Sequence, residues 1–255
     1  MTWIEPTFPP LLSGRVVIKG DDPEALAIEG AGSGELGAGD VLWLQDADAA
    51  HLAIVLEPDV ALRTAAQMLP LAVAAAGDRL SSLTPPQVGV QFRWPATLLL
   101  NGAEAGACTL TASSCTAGDV PRWMVVSFWL RMTFDEAAEP GNTPGLTSLG
   151  EEGGEELTIT DVLDSFSRHF LSNLDSWQND GLSSIAATWS NRVEGRSEPV
   201  MVNHPGTIIS ATVRGLDEDG NLLVAPADRG HTIALPLLDC VAMDMHPTAT
   251  SDGPP

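Results

Sequence analysis

Few side chains in this sequence could carry out chemistry that needs a cation or a strong nucleophile, and they are widely spaced. The chain has one lysine, Lys19, and no tyrosine. Any mechanism that needs a lysine must therefore use Lys19 or do without it. Because charged residues are rarely buried without a partner, we expect Lys19 to be a solvated surface residue.

The cysteines do not predict a metal site or a disulfide framework. Cys108, Cys115 and Cys240 are an odd number and lack C-x-x-C spacing. The aspartates do not recur at the spacing of a calcium-binding loop. We therefore predict free thiols that pack as small apolar side chains, and no metal.

Two further motifs lack the residues that a nucleotide site or a nucleophile elbow requires. The glycines at 30, 32, 34, 37 and 39 are not followed by Gly-Lys-Ser/Thr, which excludes a P-loop and predicts a turn and linker. Ser113-Ser114-Cys115 has no Gly-x-Ser-x-Gly frame. His169 stands within a predicted helix and is expected to be a core or cap residue.

The composition excludes two classes of partner. The 255 residues include 12 basic and 34 acidic side chains, for a net charge of −22. Nucleic acid and anionic membrane surfaces both attract clustered Lys and Arg, which this chain lacks. Its apolar runs are too short to span a bilayer, and no basic and apolar leader is visible. We therefore expect a soluble cytoplasmic protein that binds neither nucleic acid nor membranes.

The hydrophobic pattern predicts an α+β fold followed by a small β-domain. Helical spacing predicts one helix over residues 62–80 and another over 157–177, and Asp22 before Pro23 predicts the start of a shorter helix. Asn101-Gly102 between two apolar runs predicts a hairpin. From residue 200 onward short strands alternate with Asp-Gly turns. We therefore predict a domain over 1–198, a β-domain over 199–245 and a disordered tail over 246–255.

An ordered set of motifs along residues 40–240 resembles the biotin/lipoate protein ligase superfamily, specifically the biotin ligases with a small C-terminal β-domain. Arg93-Trp94-Pro95 and the hairpin after it resemble the family's Lys-Trp-Pro-Asn-Asp strand. The other stretches that carry the resemblance are Thr147-Ser148-Leu149, Glu151-Glu152-Gly153, Trp177, Gly181-Leu182, Trp189 and residues 213–223.

The resemblance implies a mixed sheet flanked by helices, with a small SH3-like β-barrel at the C-terminus. It also implies biotin, lipoate and ATP as ligands: a carboxylate attacks the α-phosphate of ATP, and the acyl group then passes to a lysine of a carrier protein. This step joins two anions, so the family supplies cations and amide donors there. They lie on a Gly-Arg-Gly loop, the lysine of Lys-Trp-Pro-Asn-Asp and a second lysine in the hairpin, and Mg²⁺ assists.

This sequence departs from the family's pattern at each of those positions. Residues 45–51, where the Gly-Arg-Gly loop is expected, contain neither glycine nor arginine. Arg93 replaces the first lysine, Ala96-Thr97 replace Asn-Asp, and Glu104 stands at the position of the second lysine. No asparagine stands in residues 127–132, where the family has Gly-Ile-Asn. A carboxylate about 4 Å from a phosphate charge costs roughly 4 kcal/mol at an effective dielectric constant near 20, so we expect a degenerate active site.

Three hypotheses for function follow from the resemblance. The first is a non-catalytic family member that binds a small carboxylate or acyl ligand or a protein partner, with Arg93 holding the anion. The second is an active ligase or acyltransferase with a rearranged site, in which Cys108 could carry a thioester. The third is a protein-interaction module that docks a carrier-like partner. The residues predicted to line the ligand pocket are Trp43, Arg93, Trp94, Leu99 and Gly106.

Overall fold

The computed structural model describes residues 4–134, 143 and 145–244, so the predicted tail over 246–255 lies outside the described residues. Twelve strands are found in this part of the chain. They are β1 (Ser13–Ile18), β2 (Asp40–Gln45), β3 (Ala49–Leu56), β4 (Val90–Arg93), β5 (Thr97–Leu100), β6 (Ala103–Ser113), β7 (Met124–Arg131), β8 (Val200–His204), β9 (Thr207–Leu216), β10 (Leu222–Pro226), β11 (Ile233–Leu235) and β12 (Ala242–Asp244).

The α-helices are α1 (Pro23–Ser33), α2 (Leu62–Ala65), α3 (Met68–Leu83), α4 (Ile159–Asp180) and α5 (Ser183–Arg192). A π-helical turn spans Gly150–Gly154, and a short 3-10 helix spans Leu237–Cys240. Helix α4 begins where its sequence favours a start, because the Thr158 and Asp161 side chains form a capping box. Helix α1 begins after Asp22, whose carboxylate accepts from the Glu24 backbone N–H, as predicted.

The large sheet has the order β1-β2-β3-β7-β6-β5-β4, with β12 pairing with β6 at one end. The β1–β2 and β6–β12 pairs are parallel, and the other pairs are antiparallel. A separate antiparallel sheet has the order β11-β10-β9-β8. The predicted α+β class, with a mixed sheet and a small β-rich C-terminal part, is confirmed.

Each face of the large sheet has its own hydrophobic core. On one face α3 and α4 pack, with Phe128 of β7 stacked on Phe166 of α4 at 4.3 Å between ring centroids. On the other face α1 packs over a smaller core that includes Val17 of β1 and Ala53 of β3. We call these the core face and the α1 face.

The predicted helix over residues 62–80 is broken into α2 and α3. The reason is Pro70, which has no N–H to donate and is tolerated only in the first turn of a helix. It is the third residue of α3, so a new helix begins at Met68. The break leaves the buried Gln67 side chain free to donate to the Glu218 carbonyl at 3.1 Å and to accept from Trp177 at 2.6 Å. Through these two bonds, the segment between α2 and α3 contacts α4 and the turn after β9.

The small sheet occupies residues 200–235, within the predicted β-domain over 199–245. Strand β12 leaves that region and joins the large sheet through Thr111, Ala112 and Ser113. Closure of the small sheet into an SH3-like barrel and the exact domain limits stay predictions. In the described part of the chain, no helix is long and apolar enough to cross a membrane.

Candidate functional site

A row of side chains crosses the α1 face of the large sheet. The strand register pairs Arg93 with Thr97, Thr97 with Ala107, Ala107 with Trp129, and Trp129 with His51. Because paired residues lie on the same face of a sheet, these five side chains share one face. Neighbouring residues of the same strands, such as Phe92 and Phe128, lie in the other core, as strand alternation requires.

Arg93, the predicted anion clamp, is ion-paired with two carboxylates. Its Nε lies 2.7 Å from Glu194 Oε1, and its Nη1 lies 3.7 Å from Glu104 Oε2. Its side chain is 39% exposed, and that of Glu104 is 40% exposed, so the group faces solvent. The charge of Arg93 is therefore already neutralised by carboxylates of this chain.

The short loop between β2 and β3 is held by Lys19. The Lys19 ammonium lies 2.9 Å from Asp46 and 3.0 Å from Asp48. These bonds raise the pKa of Lys19. Partial burial alone would raise the pKa of Asp46, but the hydrogen bonds from Lys19 and from the Asp48 N–H lower the pKa of Asp46 overall. Lys19 is exposed as predicted, but it is committed to two acids rather than freely solvated.

The same loop is anchored from β7. The Asp48 carbonyl accepts from the Met132 and Thr133 N–H groups at 2.9 and 3.3 Å. The Thr133 hydroxyl also donates to the Asp48 carboxylate at 3.2 Å. The loop that carries Asp46 and Asp48 is therefore fixed on both sides.

Arg131 is a cation on this face that sequence reasoning did not select. Its guanidinium carbon lies 5.0 Å from the ring centroids of both Trp129 and Phe134. Its Nη1 donates to the carbonyls of Glu104 at 3.2 Å and Thr147 at 2.8 Å. Among the described residues, no carboxylate forms an ion pair with it, unlike Arg93 and Lys19. The sequence signal for Arg131 was its alternation with Trp129 along β7, which puts both side chains on one face. That Arg131 lies beside Glu104 follows only from the strand register.

His51, Ser127 and Asp22 form a polar group at the N-terminus of α1. His51 Nε2 lies 3.0 Å from Ser127 Oγ and 3.9 Å from Asp22 Oδ1. A relay of the serine-protease type needs the acid on the other ring nitrogen, so this geometry does not orient a general base. Burial lowers the pKa of His51, although Asp22 opposes the shift. Ser127 is only 3% exposed, whereas the Asp22 side chain is exposed, so the three residues form a polar contact at the surface end of α1.

Cys108, the candidate thioester nucleophile, lies on the core face. It is 5% exposed and belongs to the core beneath α3 and α4. Burial raises the pKa of its thiol far above the usual value. Since the thiolate is the reactive form, this position disfavours nucleophilic chemistry.

The remaining predicted pocket residues are spread over both faces. Trp43 lies in the core beneath the helices. Trp94 is also buried there, and its indole N–H donates to His204 Nδ1 of β8 at 3.3 Å, which ties the two sheets together. Leu99 pairs with Glu104, and Gly106 lies so close to the Trp129 carbonyl that a side chain would clash. The structure therefore brings Arg93, Leu99 and Gly106 near Glu104, whereas the two tryptophans pack into the core.

The described residues contain no group of three or more His, Cys, Asp or Glu side chains arranged to hold a metal ion.

A model of the biotin/lipoate A/B protein ligase family matches residues 8–191 of this chain. The chain belongs to this family. The resemblance read from the motifs is thereby confirmed.

Three relatives show how far the family likeness extends. A biotin–[acetyl-CoA-carboxylase] ligase of Paracoccus denitrificans is 27% identical over 191 residues, covering 73% of this chain and 78% of that protein. The crystal structure of a biotin protein ligase-like protein of unknown function from Silicibacter sp. TM1040 is 32% identical and has a TM-score of 0.82, covering 93% of this chain and all of that one. The apo biotin protein ligase of Aquifex aeolicus, at 14% identity, shares the fold with a TM-score of 0.69 over 88% of this chain and 93% of that one.

Proposed function

We propose that this protein binds a small carboxylate or acyl ligand on the α1 face and does not form an acyl-adenylate. Adenylation must bring a carboxylate and a phosphate together, so it needs cations that are free to neutralise both. The observation that carries the proposal is the ion pairing of Arg93 with Glu104 and Glu194. Lys19, the single lysine, is likewise committed to two acids.

Arg131 is the group that supports binding of one anion on this face. Its guanidinium has no ion pair to a described carboxylate, and the rings of Trp129 and Phe134 flank it. Aromatic rings beside a guanidinium fix its plane and exclude water, which favours recognition of a planar carboxylate. One such cation is enough for one carboxylate, whereas a nucleotide triphosphate and a carboxylate together need several.

Calorimetric titration tests the proposal. We expect octanoate, lipoate or biotin to bind the wild-type protein, and Arg131→Gln to weaken the binding by about tenfold, the usual worth of one charge-assisted contact. We expect no binding of ATP with Mg²⁺ at micromolar concentrations. Binding of ATP in that range, or carboxylate affinity that Arg131→Gln leaves unchanged, contradicts the proposal. Arg168→Gln, which removes an arginine of α4 that bonds Thr7, is the matched charge control.

A further inference from the structure

A cavity lies at the end of the large sheet, beside the loop that carries Ala47. Its volume is about 400 Å³. Its walls come from that loop, from the residues after β7, from the π-helical turn and from the N-terminus of α4. Met132, which lines it, belongs to the core beneath α3 and α4, whereas its neighbour Arg131 lies on the α1 face. The cavity is therefore on the opposite side of the sheet from the proposed carboxylate site.

The lining of this cavity is unsuited to an anion. Its described residues are mostly apolar or small, among them Ile4, Met132, Leu157 and Ile159, and none of them is basic. Among the described residues that line it, Glu155 is the one charged residue. An anionic group placed here would lie beside the Glu155 carboxylate, no described lining residue is basic, and Asp161 of the capping box already offsets the positive N-terminal end of α4.

The polar groups that face the cavity can accept hydrogen bonds from a ligand. The Thr133 hydroxyl donates to Asp48, and the Thr160 hydroxyl donates to the Ile4 carbonyl at 2.9 Å. A hydroxyl that already donates its one proton still has lone pairs to accept with. A carboxylate, which only accepts, finds no partner in these hydroxyls, whereas an alcohol or a primary amide does.

The walls are held by bonds that do not involve a ligand. The segment that carries Ile4 is fixed to α4, because Thr160 donates to the Ile4 carbonyl and Arg168 donates to the Thr7 carbonyl at 3.0 Å. The capping box of Thr158 and Asp161 fixes the start of α4. The cavity is thus preformed, as small-molecule sites usually are, and its volume is at the lower end of the range of about 300–1,000 Å³ for such sites.

We propose that this cavity is a second ligand site, which takes a small uncharged molecule with an apolar body and one hydrogen-bond donor, such as a medium-chain alcohol or amide. The volume limits the occupant to about ten non-hydrogen atoms. The proposal does not depend on the carboxylate site, because the two sites lie on opposite faces and select opposite chemistry.

The test is titration of the full-length protein with 1-pentanol to 1-octanol and with octanoate. Affinity is expected to rise about fourfold per added methylene as apolar surface is buried. In the Arg131→Gln background, which disables the carboxylate site, octanol is expected to bind as it does to the wild type, and octanoate at least about tenfold more weakly than octanol. Octanol methylene protons are expected to show nuclear Overhauser effects to the methyl groups of Met132 and Ile159.

Two matched variants separate the cavity from non-specific binding. Ala47→Trp, at an exposed loop position, should fill the entrance and weaken octanol binding by more than about tenfold. Ala187→Trp, at an exposed position of α5, should leave it unchanged. The proposal is overturned if octanol does not bind saturably, if octanoate binds as tightly as octanol in the Arg131→Gln background, or if both tryptophan variants bind octanol like the wild type. Loss of octanoate binding alone, with octanol binding retained, refutes only the carboxylate site.

Discussion

Replacing Glu104 with glutamine should tighten the binding of carboxylates on the α1 face. Glutamine has nearly the same shape as glutamate but removes one of the two negative charges that neutralise Arg93. Glu104 Oε2 lies 3.7 Å from Arg93 Nη1, and the Glu104 carbonyl accepts from Arg131 Nη1 at 3.2 Å, so a carboxylate held by Arg131 lies near the charge of Glu104. Glu104 therefore repels an anion at Arg131 and also offsets the charge of Arg93.

The size of the effect follows from that distance. Two unit charges 3.7 Å apart interact by about 4.5 kcal/mol at an effective dielectric constant near 20 and by about 1 kcal/mol in bulk water. Both side chains are about two-fifths exposed, so solvent screens the pair and the lower part of this range applies. We expect a gain of about 1–2 kcal/mol, which is about 5–30-fold tighter binding.

The measurement is calorimetric titration with octanoate at low and at high salt. Glu35→Gln, which removes an exposed charge from the segment after α1, controls for the change in net charge. The gain from Glu104→Gln should shrink at high salt, because exposed charges are screened there. It should also disappear in the double variant Glu104→Gln/Arg131→Gln, because Arg131 holds the ligand near Glu104. Equal gains from Glu104→Gln and Glu35→Gln would refute the reasoning, since the effect would then be one of overall charge.

Three further predictions concern the residues around the site. The pKa of Asp46 is lowered in the folded protein, so its contribution to stability is present above the unfolded value of about 3.9 and is lost as the pH falls through the folded value. Asp46→Asn should accordingly have a lower melting temperature than the wild type at pH 7, and this difference should shrink below about pH 4. A difference that does not change with pH would contradict this. Cys108 should not react with a thiol reagent at pH 8 in the folded protein, whereas the more accessible Cys115 should, as mass spectrometry of the labelled peptides would show. Trp94→Phe should lower the free energy of unfolding in urea by about 1–3 kcal/mol, because it removes the indole donor to the buried His204 Nδ1 and leaves that nitrogen only the weak Cys240 thiol, 3.8 Å away. A change near zero would mean that this bond does not hold the two sheets together.

The elements with strong local signals were predictable from the sequence. The capping box and the apolar spacing placed α4, and Asn101-Gly102 placed the hairpin between β5 and β6, where Asn101 has a φ of 49° and Gly102 a φ of 85°. Two interpretations failed for local reasons. Pro70 splits the helix predicted over 62–80, and Gly30, predicted to lie in a linker, lies inside α1, where Leu36 packs against it too closely for a side chain.

The site was only partly predictable, because it depends on strand register. The motifs identified Arg93 and Glu104, but a register shift between Leu98 and Leu99 decides which side chains lie opposite Glu104. Arg131 comes to that point from a strand more than twenty residues later in the chain, so no local pattern links it to Glu104. Lys19 bonds a loop 27 residues further along, and charge alone did not indicate that contact.

We propose that the α1 face has too few free cations to join a carboxylate to ATP. The most direct test is to incubate the purified protein with ATP, Mg²⁺ and biotin, lipoate or octanoate in turn, and to look for the acyl-AMP by mass spectrometry. The Paracoccus denitrificans biotin ligase with biotin serves as the positive control. We predict no acyl-AMP above the level without protein. Formation of acyl-AMP that is abolished by Arg93→Ala would show that Arg93 retains a catalytic charge despite Glu104 and Glu194, and would contradict the account.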